Sequence, residues 1–327
     1  MTELYFAPME GLTDDIFRRV HHECFSGVSA YYIPFISPTQ NLVLTSREKR
    51  SVLPDHNRGV PCVPQILAKD PEHFLWAAGC MADLGYQEVN LNAGCPSRTV
   101  TAKGKGAGML KDPDSLDAFL DRVCAVSPLP LSVKTRVGYD SPDEWERLLT
   151  VYRRYPIQRL IVHARTCRER YDPGAVHREC WQAAAEAWPG DLVLNGDLFT
   201  PDDVMEVLQL FPRISGVMLG RGLVAVPSLA RELQGGPPLK KEEIVHFHDR
   251  LLEELLKEYP AHTAFMKLRV VMKHLACSFA ETGKLERKIR RADSLDELLD
   301  ADTRLFAQCA LKPRPAFVPD EITTSSL

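Results

Sequence analysis

The sequence of 327 residues lacks the features that mark several classes of protein. It has no run of 18 or more apolar residues and no charged leader before an apolar stretch, so we expect a cytoplasmic protein that does not span a membrane. Its nine cysteines are scattered without a C-x-x-C pair, which argues against a disulfide framework and against a structural zinc site. A net charge of -4 excludes a global basic field for nucleic acid. We therefore expect a monomer without bound metal.

What is present is an alternation of short apolar segments with amphipathic ones. Eight segments rich in β-branched or apolar residues recur along the first two thirds of the chain: "ELYFAPM", "AYYIPFI", "CVPQIL", "EVNLNAG", "LSVKTRV", "RLIVHART", "LVLNGDL" and "GVMLGRG". Stretches with helical spacing lie between most of them, and Asp70, Asp112, Ser141 and Thr200 each precede a proline, as at the start of a helix. This order predicts a (β/α)8 TIM barrel. An open doubly wound sheet is disfavoured because no G-x-G-x-x-G follows the first strand.

The pattern changes after the Gly/Pro-rich segment "LQGGPPL". From there the chain reads as helix only, in "KKEEIVHFHDRLLEELLKEY", "TAFMKLRVVMKHLACSFAET" and "SLDELLDADTRLFAQCAL". The last residues are rich in proline and then polar. We predict a barrel domain over residues 1–236, an all-helical domain over 237–312 and an extended tail over 313–327.

Many of the predicted strands end in polar residues, although parallel strands are buried on both faces and normally read as apolar runs. Barrel proteins gather their working residues at these ends, so we expect one site there. The turns "NGD" and "GRG" fall where barrels commonly build a phosphate site from backbone N–H groups. Lys134 and His163, on adjacent strands, could both donate to a polar, electron-rich ring.

The segments "APMEG", "PQILA", "LNAGCPSRTV", "KGKGAGMLKDP", "SVKTRVG", "VHARTCRERY", "LNGD" and "MLGRG" together resemble the tRNA-dihydrouridine synthase family. The N-x-G-C-P part is the most diagnostic, and the likeness extends over the barrel and the helical region. It implies an FMN-dependent reduction, with NADPH as the reductant, of the C5–C6 double bond of a uracil base in tRNA. It also implies that FMN is held by Pro8, Met9, Glu10, Gln65, Lys134, His163, Asn195, Gly196, Asp197, Gly220 and Arg221.

In this interpretation Cys95 donates a proton to C5 while hydride from flavin N5 arrives at C6. An unperturbed thiol, with a pKa of about 8.5, is mostly protonated near neutral pH and suits that task. The residues expected to contact the RNA substrate are Asn92, which would hold the base, with Arg98, Lys103, Lys105, Arg136, Arg165, Lys267, Lys273, Arg287 and Arg291. Between Tyr259 and Arg291 eight basic residues outnumber two acidic ones, which favours contact with RNA phosphates.

One position departs from the family pattern. Pro34 stands where the family usually has a Thr-Glu or Ser-Glu pair at the end of the second strand, so no ligand role is assigned to it. Two other functions stay open. A small-molecule flavin reductase of the dihydroorotate-dehydrogenase type would share the barrel and FMN but would have no use for the basic helical region. A catalytically idle RNA-binding protein would not need Cys95.

Overall fold

A computed structural model describes residues 2–319 and shows a closed barrel of eight parallel strands. The strands are β1 (Glu3–Phe6), β2 (Ala30–Ile36), β3 (Cys62–Ile66), β4 (Val89–Ala93), β5 (Leu131–Gly138), β6 (Arg159–Thr166), β7 (Asp191–Asn195) and β8 (Gly216–Leu219). Each strand pairs with the next, and β8 closes the barrel on β1 through the register Glu3↔Gly216 to Phe6↔Leu219. The predicted TIM barrel is confirmed.

Helices cover the barrel and then continue alone. They are α1 (Asp15–Cys24), α2 (Ser46–Val52), α3 (Pro71–Asp83), α4 (Arg98–Thr101), α5 (Pro113–Val126), α6 (Trp145–Tyr152), α7 (Arg178–Ala187), α8 (Pro201–Leu210), α9 (Arg221–Ala225), α10 (Leu229–Leu233), α11 (Lys241–Glu258), α12 (Ala261–Leu275), α13 (Leu285–Arg291) and α14 (Leu295–Gln308). Within residues 2–319 none of them combines the length and the apolar character that a membrane crossing requires.

The Asp/Thr-Pro pairs begin helices as the sequence predicts. The carboxylate of Asp70 accepts hydrogen bonds from the backbone N–H groups of Glu72 and His73, and Thr200 forms a reciprocal capping box with Asp203. Ser141 differs, because the residues after it form a short 3-10 turn, Pro142–Glu144, and the α-helix starts only at Trp145. These caps fix where the loops that follow β3, β4 and β7 end and the helices α3, α5 and α8 begin.

A polar cluster closes the barrel interior at the amino-terminal ends of the strands. Arg159 pairs with the Glu88 carboxylate at 2.8 Å, donates to the Tyr32 hydroxyl at 3.1 Å and lies over the Tyr5 ring at 4.9 Å. Both charged side chains are largely buried, with 12% and 14% of their surfaces exposed. The cluster therefore plugs the end of the barrel opposite to the predicted site.

The C-terminal helices pack on the outside of the barrel through the same continuous core. Phe247 of α11 makes edge contacts with Phe17, His21 and Phe25 of the α1 region. The helix α13 is a separate element that the periodicity did not single out. The proposed domain boundaries stay predictions; of the predicted tail, residues 313–319 contain no helix or strand, and residues 320–327 lie outside the described residues.

We predict that Glu88→Ala lowers the free energy of unfolding by about 2–4 kcal/mol, because Arg159 would keep a mostly buried charge with only the half-exposed carboxylate of Asp191, at 3.7 Å, to pair with it. Urea unfolding of the purified variant measures the loss. The matched control is Asp114→Ala, which removes an ion pair with Arg147 that lies on the exposed surface and should leave stability unchanged. Equal effects of the two substitutions would contradict this account of the barrel plug.

Candidate active site

A cavity of about 440 Å³ opens at the carboxyl ends of the strands. Its walls contain every strand-end residue that the sequence pointed to except Arg165: Pro8, Met9, Glu10, Gln65, Asn92, Cys95, Lys134, Arg136, His163, Asn195, Gly196, Asp197, Gly220 and Arg221. The structure therefore gathers in one cavity residues that are up to 213 positions apart in the chain, counted from Pro8 to Arg221. Their individual roles stay predictions.

Other cavity residues had not been singled out from the sequence. They are Ala7, Phe35, Gly94, Pro96, Ser97, Thr99, Val100, Tyr171, Leu198, Phe199 and Met218, with Pro34, to which no role had been assigned. Pro34 lacks a backbone N–H, and the pairing of β2 with β3 shifts in register between Ile33 and Ile36. Pro34 and Phe35, which lie within the shift, both line the cavity. A proline within the second strand was the available signal for this irregularity.

The side chain of Asn92 builds the turn that carries Cys95. Its carboxamide oxygen accepts hydrogen bonds from the backbone N–H groups of Gly94 at 3.1 Å and Cys95 at 2.9 Å. Its amide nitrogen donates to the Gln65 side-chain oxygen at 2.7 Å. Because both lone pairs of the oxygen and one amide N–H are used inside the protein, only the second amide N–H of Asn92 is left to contact a substrate base.

The chain of amide hydrogen bonds continues into the barrel beneath the cavity. Gln65 donates to Asn90 at 2.7 Å, and Asn90 donates to the Ser132 hydroxyl at 2.9 Å. All three side chains are buried. A buried amide is stable only when its donors and acceptors are paired, so this row fixes the rotamers of Gln65 and Asn92 at the cavity floor.

The half-buried thiol of Cys95 faces a partly cationic wall. Burial raises its pKa, while the backbone N–H of Ser97 and the nearby Arg136 lower it to a smaller extent. The thiol is therefore held in its protonated form at neutral pH. Arg136 also supports the turn, since its Nε donates to the Gly94 carbonyl at 2.9 Å and its Nη1 to the Thr166 carbonyl at 2.8 Å.

The glycine-rich segment after Cys95 is folded against it. The backbone N–H of Ala107 donates to the Cys95 carbonyl at 3.1 Å, and residues Gly106–Lys111 form a short 3-10 helix whose first five residues are buried. Gly106 has φ +57°, and a Cβ at this position would lie 2.9 Å from the Cys95 carbonyl oxygen. Only glycine satisfies both the backbone angle and the close approach.

Lys134 and His163 both lie in the cavity wall. The pKa of each is lower than usual, so each loses its proton more readily. Burial, then Arg136, lowers the pKa of Lys134 to about 7, and burial with the neighbouring cations lowers the pKa of His163 well below its ordinary value. Lys134 donates to the Asn195 side-chain oxygen at 2.9 Å. Arg165 Nη1 lies 3.3 Å from His163 Nε2 and can only donate, so the neutral imidazole carries its proton on Nδ1.

The carboxylate of Asp197 forms ion pairs with two arginines, Arg165 at the end of β6 and Arg221 just after β8. Arg165, which is fully buried, pairs bidentately with its carboxylate and also donates to the Asp172 carbonyl. Arg221 Nη2 donates to the same carboxylate at 2.8 Å, whereas Arg221 Nη1 is buried and makes no hydrogen bond to any of the residues 2–319. The donors of Arg165 are engaged within the protein, which favours a positioning role for it over direct contact with substrate.

The residues predicted to contact RNA outside the cavity occupy different surroundings. Arg98, Lys103, Arg287 and Arg291 are exposed, and the last two lie on α13. Lys105 is half-buried and donates to the Ser37 hydroxyl at 3.0 Å, which ties its loop to the end of β2. Lys273 is half-buried, and Lys267 pairs with Asp14 at 2.5 Å. The ion pair of Lys267 thus joins the helical region to the barrel. Because the two residues are 253 positions apart, this contact could not be predicted from the sequence.

The charges of the cavity favour an anionic ligand. Lys134, Arg136 and Arg221 lie in its wall, where the carboxylate of Asp197 is shared with Arg165 and that of Glu10 pairs with Arg47. Across the described part of the chain, no three His, Cys, Asp or Glu side chains are placed to hold a metal ion. Fold and cavity together define a protein of the TIM-barrel class with a polar cavity, suited to an anionic ligand, at the carboxyl ends of its strands.

Comparison with known proteins gives the family. The family model described as dihydrouridine synthase (Dus) matches residues 5–311, so the chain belongs to the dihydrouridine synthase family. The tRNA-dihydrouridine(16) synthase of Pseudomonas putida is 29% identical over 327 aligned residues, which cover 94% of this chain and 99% of the relative. The probable tRNA-dihydrouridine synthase 2 of Bacillus subtilis is 30% identical, with 89% and 90% covered.

A solved structure supports the fold independently. Morphinone reductase superposes with a TM-score of 0.52 at 11% identity, covering 73% of this chain and 87% of the reductase. At this identity the likeness concerns the barrel fold alone.

We predict that Gly106→Ala displaces the Cys95 turn and destabilises the protein by about 2–4 kcal/mol, the sum of a left-handed backbone cost and an overpacking cost. The control is Gly104→Ala, which has a similar φ of +70° but would meet only the flexible Lys69 side chain at 3.4 Å. The control variant should be destabilised only by the left-handed backbone cost of about 1–2 kcal/mol. Urea unfolding and the rate at which a thiol reagent modifies Cys95 compare the two; equal results would rule out the close packing of Gly106 on Cys95.

Proposed function

We propose that this protein is a tRNA-dihydrouridine synthase that reduces the C5–C6 double bond of a uridine in tRNA, with FMN as cofactor and NADPH as reductant. The observation that carries the proposal is the thiol of Cys95, kept protonated by burial on a turn at the edge of a cationic cavity. The printed names of the relatives, tRNA-dihydrouridine synthases, support the same substrate class.

The residues present fit FMN. The buried Nη1 of Arg221, which has no hydrogen-bond partner among residues 2–319, suits a phosphate oxygen. Gly196 and Gly220 lie in the cavity wall, where their backbone N–H groups could donate to the same ligand, and at Gly196, with φ +135°, a Cβ would come within 3.2 Å of the His163 ring. Pro8, Met9, Gln65, Lys134 and His163 would hold the flavin ring, and Asn195 would orient Lys134. Glu10 and Asp197 act through their arginine partners.

The chemistry divides between the cofactor and the chain. FMN, when bound, would supply the hydride that reaches C6 of the base. Cys95 supplies the proton to C5, and burial keeps that proton on sulfur until the base is in place. The thiolate left behind is stabilised by the Ser97 backbone N–H, Arg136 and Lys134, the same groups that lower its pKa. Solvent then returns the proton to sulfur.

The RNA would be held outside the cavity by exposed basic side chains. Lys284, Arg287, Lys288 and Arg291 are exposed on or beside α13, and Arg98 and Lys103 are exposed beside the Cys95 turn. A uridine must leave its stack to reach a cavity of this depth, at a cost of about a few kcal/mol that phosphate contacts can offset.

The proposal is tested by reconstitution. Purified protein should bind FMN and turn yellow, and with NADPH it should form dihydrouridine in an unmodified tRNA transcript but not reduce free uracil or orotate. Turnover of orotate or uracil without turnover of tRNA would favour the small-molecule reductase instead. A protein that takes up no FMN yet binds tRNA would favour the idle RNA-binding alternative.

We predict that Cys95→Ala retains FMN and its reduction by NADPH but loses dihydrouridine formation by about 10²-fold or more, because the proton donor to C5 is absent. Stopped-flow absorbance follows flavin reduction, and mass spectrometry of digested tRNA counts dihydrouridine. The control is Cys124→Ala, a half-buried cysteine on α5 outside the cavity wall, which should leave both rates unchanged. Full activity of Cys95→Ala would refute the acid role.

We also predict that FMN affinity falls with rising pH. In the flavin-free protein the pKa of Lys134 lies at about 7, so its ammonium form is lost as pH rises through neutrality. If that ammonium donates to the flavin ring, the FMN dissociation constant should increase between about pH 7 and 9, by up to about tenfold per pH unit. The phosphate, whose second pKa is about 6, does not titrate in this window.

Fluorescence quenching of FMN at several pH values measures this slope. Lys134→Met should bind FMN more weakly and with a flat profile over the same range, because it has no ammonium to lose. An unchanged slope in Lys134→Met would assign the pH dependence to another group.

A further inference from the structure

The last described segment of the chain, residues 311–319, runs from the helical region to the barrel. Leu311 forms an antiparallel bridge with Phe279, and the Lys312 backbone N–H donates to the Ser278 carbonyl at 2.9 Å. The Ser278 hydroxyl donates in turn to the carbonyl of Ala225 at 2.6 Å. Ala225 ends α9, the helix that begins at Arg221, so the segment is anchored beside that arginine.

Phe317 is the one fully buried side chain among residues 311–319, with 3% of its surface exposed. Its ring lies 5.2 Å from the ring of Phe199, which is in the cavity wall, and is stacked at 5.5 Å on the ring of His274 from α12. Phe317 therefore fixes the segment to the loop after β7 and to α12 together.

The ring of Phe317 also encloses the guanidinium of Arg221. The Cζ atom of Arg221 lies 5.1 Å from the Phe317 ring, 5.1 Å from that of Tyr171 and 5.4 Å from that of Phe199. Together with the hydrogen bond from Nη2 to Asp197, the three rings restrict the orientation of a side chain that has four rotatable bonds. They also exclude water, which strengthens any charge-assisted hydrogen bond that Nη1 makes.

We propose that Phe317 is a positioning residue for the anion-binding end of the cavity: it holds Arg221 so that Nη1 is presented to the phosphate of the ligand. The inference rests on the proposed function, in which that ligand is FMN. It gives the C-terminal segment a task in cofactor binding, through a residue that lies outside the cavity wall and 96 positions after the arginine it holds, counted from Arg221 to Phe317.

The test compares FMN with riboflavin, which has the same ring system and no phosphate. Dissociation constants of both flavins are measured by fluorescence quenching on flavin-free wild type, Phe317→Leu and Phe317→Tyr. Phe317→Leu keeps an apolar side chain but removes the ring, and it should bind FMN about tenfold more weakly while its affinity for riboflavin stays unchanged. Phe317→Tyr keeps the ring and should retain the wild-type preference for FMN.

Two further variants serve as a positive comparison and a negative control. Arg221→Lys should lose the preference for FMN in the same way, because an ammonium replaces the enclosed fork. Arg314→Ala removes an exposed ion pair with Asp202 in the same segment and should change neither constant. Should Phe317→Leu fail to fold, Phe317→Met, which also fills the site without a ring, takes its place.

An equal loss of affinity for FMN and riboflavin in Phe317→Leu, or no loss for either, would overturn the positioning role. A wild-type protein that binds FMN and riboflavin equally would also overturn it while leaving the flavin cofactor in place. A wild-type protein that binds neither flavin would remove the proposed function and this inference together.

Discussion

The site depends on the hydrogen bonds of one side chain, the carboxamide of Asn92 at the end of β4. Its oxygen organises the turn of Cys95, and its nitrogen is fixed by Gln65, whose own amide continues through Asn90 to Ser132. Buried amides inside a barrel are costly unless every partner is present. The hydrogen bonds that keep the barrel interior stable therefore also fix the position of the thiol. The proposed proton donor is thus positioned by packing that the fold needs in any case.

The surroundings of this turn favour the protonated thiol of Cys95 and, at the same time, the neutral amine of Lys134. Burial raises the pKa of Cys95 and lowers that of Lys134. Arg136 lies near both side chains, and its hydrogen bonds join the Gly94 carbonyl to the end of β6. Asp197 compensates Arg165 and Arg221 without neutralising the cavity. The result is a wall whose charges favour an anionic ligand and a thiolate, as the proposed loss of the Cys95 proton requires.

Much of the barrel and of the cavity wall could be predicted from the sequence because both rest on local patterns. A few neighbouring positions are enough to recognise a strand segment, an Asp/Thr-Pro helix start or a polar residue at a strand end. The sequence could not reveal contacts that depend on packing between distant segments. Tyr171 and Phe317 both lie against Arg221, and Lys267 pairs with Asp14; its expected contact with RNA stays a prediction. Asn92, expected to hold a base, is used largely within the protein because Gln65 and the Cys95 turn occupy its polar atoms.

The central claim is that electrons stored on a flavin in this cavity pass to a uridine in folded tRNA. It is tested most directly by an anaerobic single turnover, in which FMN-loaded protein is reduced, freed of excess reductant and mixed with an unmodified tRNA transcript. The account predicts that the absorbance of oxidised flavin returns as dihydrouridine appears, with one dihydrouridine formed for each flavin reoxidised. A flavin that stays reduced in the presence of tRNA, yet is reoxidised by orotate, would contradict it.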